Sequence, residues 1–246
     1  MILEVAANSV ASALAAQAGG AGRVELCTAL ELGGLTPSHA QIALARERLR
    51  IPLFVLVRTR AGDFRYSDLE CETMQRDIEA CVALGCDGVV LGVLDAEGKI
   101  DMPRCRALIA AAGNMGVTFH RAFDLSRDPA QALEDIVALG CERILTSGAQ
   151  ASAPDGAARI RELVVQAAGR LTVMPGAGIT AQNIAALAAT GAHEFHASAK
   201  RQLTSGMQHR QPLLVDMEGG EWRSDVEQVR ALVAALQAVA RNPTGC

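Results

Sequence analysis

The sequence predicts a single-domain α/β fold, a TIM-like (β/α)8 barrel, on three observations. The chain has 246 residues, a length that one α/β barrel of roughly 250 residues accommodates. Eight short runs rich in Val, Ile, Leu and Phe lie at 2–6, 23–27, 53–58, 88–92, 117–120, 143–147, 171–175 and 194–198, with amphipathic segments between them. One junction also recurs, as Gly20-Ala21-Gly22-Arg23-Val24, Gly85-Cys86-Asp87-Gly88-Val89, Gly140-Cys141-Glu142-Arg143-Ile144 and Gly191-Ala192-His193-Glu194-Phe195. In each, Gly supplies a left-handed helix cap and a small residue lets the chain turn tightly under the next strand. A repeated helix-to-strand junction is the mark of a repeated βα unit. A doubly wound open sheet would more naturally stop at about five to seven strands.

The helices carry their own start and stop signals. Ser67-x-x-Glu70 and Ser224-x-x-Glu227 read as capping boxes, while Thr36-Pro37 and Asp128-Pro129 place a cap before a first-turn proline. In the fifth helix Leu133, Ile136 and Val137 share a face and Gly140 ends it. Val229, Leu232, Val233 and Leu236 do the same in a last helix spanning 224–241. Residues 199–223 form a long loop after the eighth strand, with an apolar Pro212-Leu213-Leu214-Val215 centre that suits a lid or an interface.

Composition narrows the function. Half of the residues are hydrophobic and 20% charged, which excludes a disordered chain. A net charge of −4 and seven aromatic residues argue against nucleic-acid or anionic-membrane partners. Residues 5–22 are uncharged but too small and polar for a leader, and no long apolar run occurs, so a cytoplasmic protein is expected. The seven cysteines form no C-x-x-C pair, and Lys99 and Lys200 are the only lysines.

Strand alternation selects the candidate site. If Leu3, Val5, Val24 and Leu26 face the helices, then Glu4, Ala6, Arg23, Glu25 and Cys27 face the barrel interior. By the same alternation Phe54, Leu56, Arg58, Thr118, His120, Glu194, His196 and Ser198 point inward. Glu4, Glu25, Arg58, His120, Glu194 and His196 thus come together from five strands. Buried charges are costly. They either neutralise one another or serve general acid–base catalysis on a small polar substrate; they are also acceptable metal ligands. Arg58 and Arg60 flank a glycine-containing turn and suit an anion clamp or a solvated basic loop. Gly176 and Gly178, before a helix start capped by Thr180 and beside Ser198, fit a phosphate cradle or a plain tight turn.

The segments Leu3-Glu4-Val5, Arg23-Val24-Glu25-Leu26-Cys27, Gly33-Gly34-Leu35-Thr36-Pro37-Ser38 and Arg60-Ala61-Gly62-Asp63-Phe64-Arg65-Tyr66-Ser67 resemble the CutC family. So do Gly88-Val89-Val90-Leu91-Gly92, Thr118-Phe119-His120-Arg121-Ala122-Phe123-Asp124, Thr146-Ser147-Gly148, Gly176-Ala177-Gly178-Ile179 and Glu194-Phe195-His196-Ala197-Ser198. The resemblance implies a TIM-like barrel, a cytoplasmic homodimer, and a role in copper homeostasis with Cu(I) held by cysteines. Family members often pair a cysteine after the first Glu-Val with another in Glu-Leu-Cys. Here Cys27 stands at the second position and Ala6 at the first. Two functions follow as expectations: Cu(I) handling through Cys27, or a barrel enzyme acting on a small anionic or phosphorylated molecule.

Overall fold

A computed structural model describes residues 1–209, 213 and 220–241. The barrel strands are β1 (Ile2–Ala7), β2 (Arg23–Leu26), β3 (Leu53–Leu56), β4 (Gly88–Leu91), β5 (Gly116–Phe119), β6 (Arg143–Thr146), β7 (Thr172–Pro175) and β8 (Glu194–Ala197). All pair in parallel in the order β7-β6-β5-β4-β3-β2-β1-β8, and a Gly176–His196 bridge brings β7 to β8. The molecule is therefore a near-closed, single-domain (β/α)8 barrel. Its helices are α1 (Val10–Ala18), α2 (His39–Arg48), α3 (Asp68–Ala83), α4 (Met102–Ala112), α5 (Pro129–Leu139), α6 (Ala157–Ala167), α7 (Ile184–Ala188) and α8 (Val226–Arg241). No described helix is long and apolar enough to cross a membrane.

The outward strand residues Leu3, Val5, Val24, Leu26, Val89, Phe119, Ile144 and Phe195 join the inner faces of the helices in one large core. Ser67 and Glu70 form the expected capping box, and Asp128 caps α5 ahead of Pro129. Elsewhere the cap shifts. Ser38, not Thr36, caps α2 and boxes with Gln41, because the Thr36 hydroxyl is taken by the Arg58 N–H. Asp225, not Ser224, caps α8, since the Ser224 hydroxyl donates to the Ser198 carbonyl. After β8 the chain forms an antiparallel pair, β9 (Lys200–Gln202) with β10 (Trp222–Ser224), so the expected loop 199–223 has a structured stem. The apolar 212–215 stretch lies outside the described residues except Leu213.

The position after the tight turn in the repeated junction builds the barrel floor. It holds Arg23, Gly88, Arg143 and Glu194, each the first residue of its strand. Arg23 Nη2 donates to Glu194 Oε2 at 2.6 Å, its Nε pairs with Glu4, and Arg143 Nε lies 3.2 Å from the same Glu194 oxygen. Arg143 Nη1 also donates to Thr118 Oγ1. Both guanidinium groups lie over the Phe54 ring, 5.2 and 4.9 Å from its centroid. That ring needs glycine at position 88, where a Cβ would come within 2.3 Å of it. Two buried cations thus face two buried carboxylates, and Arg143 Nη2 also pairs with the more exposed Glu142 at 3.0 Å. Removing one partner leaves an uncompensated buried charge, which typically costs about 3–5 kcal/mol. Glu194→Ala is therefore expected to destabilise the barrel by about that amount in urea unfolding; a loss below about 1 kcal/mol would show that the floor does not depend on the pair.

Candidate functional site

Above this floor, at the C-terminal ends of the strands, a cavity of about 620 Å³ opens. Barrel enzymes place their chemistry at this end. Glu25, His196, His120 and Arg58 reach the cavity from β2, β8 and the residues following β5 and β3, with Arg121, Asp124 and Lys200 among its other lining residues.

Glu4 is completely buried and holds the site together. Its carboxylate takes Arg23 Nε on one oxygen and His196 Nδ1, at 2.7 Å, on the other. Burial alone would raise its pKa, but the His196 hydrogen bond and the Arg23 charge outweigh that and hold it at about 2. Glu4 therefore stays an anion and orients the His196 ring. Burial lowers the His196 pKa, yet the nearby Glu25 and Glu4 carboxylates reverse the sign and raise it.

Glu25 is the opposite case. It is buried, its Oε2 has no hydrogen-bond partner, and burial assisted by the Glu4 charge lifts its pKa to about 7. It exchanges protons near neutrality. His120 is held by the Ala122 N–H, which donates to its Nδ1 at 3.2 Å. Burial, with the Arg58 charge adding to it, depresses its pKa to about 3, so the ring is neutral. The His120 Nε2 has no partner.

The remaining sequence candidates have other placements. Glu194 belongs to the floor, paired with Arg23 and Arg143 rather than lining the cavity. Arg58 lines the cavity, but its terminal nitrogens donate to the carbonyls of Leu32, Gly34 and Gly62, which fixes two loops and leaves its buried Nε without a partner. Arg60 pairs with Glu70 and Asp63 and donates to the Arg65 carbonyl, outside the cavity. Gly178 and Ser198 line the cavity, while Gly176 packs beneath against Leu145 and His196. The expected helix start at Thr180 is absent. The Thr180 N–H donates to the Asn183 side chain and α7 begins only at Ile184, with five residues. Cys27 is buried beside Phe54, Leu56 and Val90, and does not line the cavity. Burial pushes its thiol well above the ordinary range.

The lining also includes an ion pair that strand alternation does not select. Arg121 and Asp124 follow β5 and pair at 2.8 Å. Asp124 accepts from the Thr146 and Ser147 hydroxyls and from the Ser147 and Ala149 N–H groups, and Arg121 Nη2 donates to Ser147 Oγ. An Arg-x-x-Asp spacing just past a barrel strand is the signal that could have found them.

Glu4, Glu25 and His196 also present potential ligand atoms within 4.8 Å of one another. Oxygen and imidazole donors suit divalent ions better than soft Cu(I). Among the described residues no group of three or more potential ligands contains a cysteine. The Cys81 and Cys86 thiols adjoin one another where α3 runs toward β4, at the opposite end of the strands from the cavity.

Comparison with known proteins matches this architecture to relatives. The CutC proteins of Xanthomonas campestris and Chromobacterium violaceum are 58% and 55% identical to the chain over 238 and 242 residues, covering 96% of it and 99% and 98% of their own lengths. The crystal structure of CutC from Streptococcus agalactiae, whose name invokes copper homeostasis, superposes with a TM-score of 0.77 at 34% identity, over 80% of this chain and 99% of that one. A thiamine phosphate pyrophosphorylase from Pyrococcus furiosus, 15% identical with a TM-score of 0.61 over 97% of this chain and 96% of its own, shares the barrel fold alone. With the CutC family model matching residues 1–201 as well, the chain belongs to the CutC family.

Proposed function

We propose that this barrel is an enzyme that moves a proton on a small anionic substrate. Glu25 is the transferring group, and His196, oriented by Glu4, is its partner. The observation that carries the reading is a buried carboxylate with an unpartnered oxygen, poised near pH 7 in an open cavity. A general base works best when its pKa lies near the operating pH, and paired groups whose surroundings separate their pKa values are the signature of acid–base sites. Lys200 at the cavity supplies positive charge for the anion, with Arg121, whose charge is shared with Asp124, and the turn through Gly178 beside it.

A copper role is the second reading, and the name of the Streptococcus agalactiae relative favours it. The cavity does not fit Cu(I): Ala6 replaces one thiol of the expected pair, and the other, on Cys27, is held protonated by burial. Anaerobic Cu(I) titration separates the two readings. The enzyme reading expects affinity unchanged in Cys27→Ser; a tight equimolar complex lost in that variant would support copper handling instead.

Glu25→Gln is expected to bind small carboxylates and phosphate esters as the native protein does, while slowing substrate C–H exchange with D2O by about 10²–10⁴-fold. Arg121→Ala/Lys200→Ala should weaken those same anions. Unchanged exchange in the first variant would remove Glu25 from the mechanism.

Stability gives a check that needs no substrate. The folded-state pKa of Glu25, about 7, lies above its ordinary value of 4.5. Native Glu25 thus costs nothing below the lower value and destabilises progressively as pH rises through the upper one. Glu4, Arg23 and His196 are the charged groups facing it. Glu25→Gln should match the native unfolding midpoint near pH 4.5 and exceed it by pH 8. A difference independent of pH would contradict the raised pKa.

A further inference from the structure

His120 has a geometry that proton transfer by Glu25 does not explain. Its ring is clamped on two sides. Phe64 lies 4.8 Å away, centroid to centroid, and a Cβ at position 92 would come within 2.7 Å of His120 Cε1 and Nδ1. Only glycine leaves that space. The Ala122 N–H donates to Nδ1, and a neutral imidazole whose Nδ1 accepts must carry its proton on Nε2. That Nε2–H is buried without a partner, on a residue that lines the same cavity as Glu25 with its own unpartnered oxygen. Buried donors are seldom left unsatisfied in a protein; where no protein group accepts, a ligand or an ordered water does. Arg58, stacked 5.0 Å over the far ring Phe64, adds positive charge behind the imidazole.

We propose that His120 is a fixed hydrogen-bond donor whose Nε2–H holds a carbonyl oxygen of the substrate, so that the cavity takes a carbonyl compound with an acidic C–H facing Glu25. This rests on the reading of Glu25 as the base. The Glu25 carboxylate removes the proton from the carbon next to the carbonyl. The C–H electron pair becomes the new C=C bond, and the carbonyl π pair moves onto oxygen. The resulting enolate oxygen is held by His120 Nε2–H, a preorganised donor at the atom where charge develops. The proton then returns from Glu25 to the same carbon or, in an α-hydroxy carbonyl compound, to the former carbonyl carbon once the hydroxyl proton has passed to the enolate oxygen. No outside oxidant or reductant is needed. His120 itself neither gains nor loses a proton.

Nitrogen-15 NMR of the folded protein tests this without a known substrate. The expected pattern is His120 protonated at Nε2 alone from pH 5 to 9. An Nδ1-protonated ring, or one that becomes cationic in that range, would overturn the proposal. The second arm titrates matched pairs that differ only in C=O against CHOH: 2-oxo acids with 2-hydroxy acids, and ketose phosphates with alditol phosphates, each of three to six carbons. At least one carbonyl member should shift the His120 Nε2–H resonance and bind about tenfold tighter than its reduced partner. His120→Gln, which keeps an N–H, should retain the preference, and His120→Leu should lose it. Failure of every carbonyl compound to shift the resonance, or a preference that survives in a folded His120→Leu protein, would refute the donor role. If the preference persists in Glu25→Gln while native protein shows no C–H exchange in D2O, the donor stands and the base assignment falls.

Discussion

The contact between Glu4 and Arg23 is the constraint on which the rest of the molecule depends. It joins the first two strands through side chains that the barrel has buried, and each partner extends it in a different direction. Arg23 runs downward to Glu194 and, through it, to Arg143, closing the floor around the Phe54 ring. Glu4 runs upward to His196 and fixes its imidazole at the base of the cavity. A buried ion pair is a poor source of stability compared with well-packed apolar residues. Its presence in the interior therefore needs another account. Here the pair supplies a permanent anion beneath a histidine, which no apolar substitute can do.

That anion makes two chemically similar groups unlike. Glu4 and Glu25 are both buried carboxylates, yet one is held ionised by a guanidinium and an imidazole while the other, lacking any donor on Oε2, is lifted toward neutrality. The two imidazoles diverge for the same kind of reason. His196 lies beside carboxylates and gains basicity; His120 lies near Arg58 and among aromatic rings and loses it. Four residues of two types thus take four electrostatic roles, set by what stands next to each.

Much of this was legible in the sequence because it follows from periodicity. Alternation along a strand is a hard geometric rule, so the inward placement of Glu4, Glu25, His120 and His196 could be read from their apolar neighbours. The repeated junction located strand starts closely, since a left-handed cap favours glycine. What could not be read was the spending of hydrogen-bond donors. Arg58 and Arg60 have the composition of an anion clamp, but backbone carbonyls of Leu32, Gly34, Gly62 and Arg65 claim much of their donor capacity, and a carbonyl leaves no trace in a residue pattern. The shifted caps have the same cause: Thr36 and Ser224 are suitable oxygens whose hydrogen bonds go to partners distant in sequence.

The same distinction bears on metal chemistry. Seven cysteines are a conspicuous resource in the composition, but a thiol becomes a soft ligand only as a thiolate, which requires positive charge or exposure. Cys27, Cys105 and Cys141 lie in apolar surroundings that push their thiols upward. Cys86 alone among these is lowered, by the Cys81 hydrogen bond against its own burial and with the Arg46 charge helping, but this pair lies away from the cavity. The polarity of the interior is concentrated instead in oxygen and imidazole groups converging from separate strands. On the proposed reading, a cavity with one proton-exchanging carboxylate, an oriented histidine and a donor-only histidine distinguishes a substrate before proton transfer from the same substrate after it. Such a difference between two states of a ligand is what catalysis requires and what storage of an ion does not.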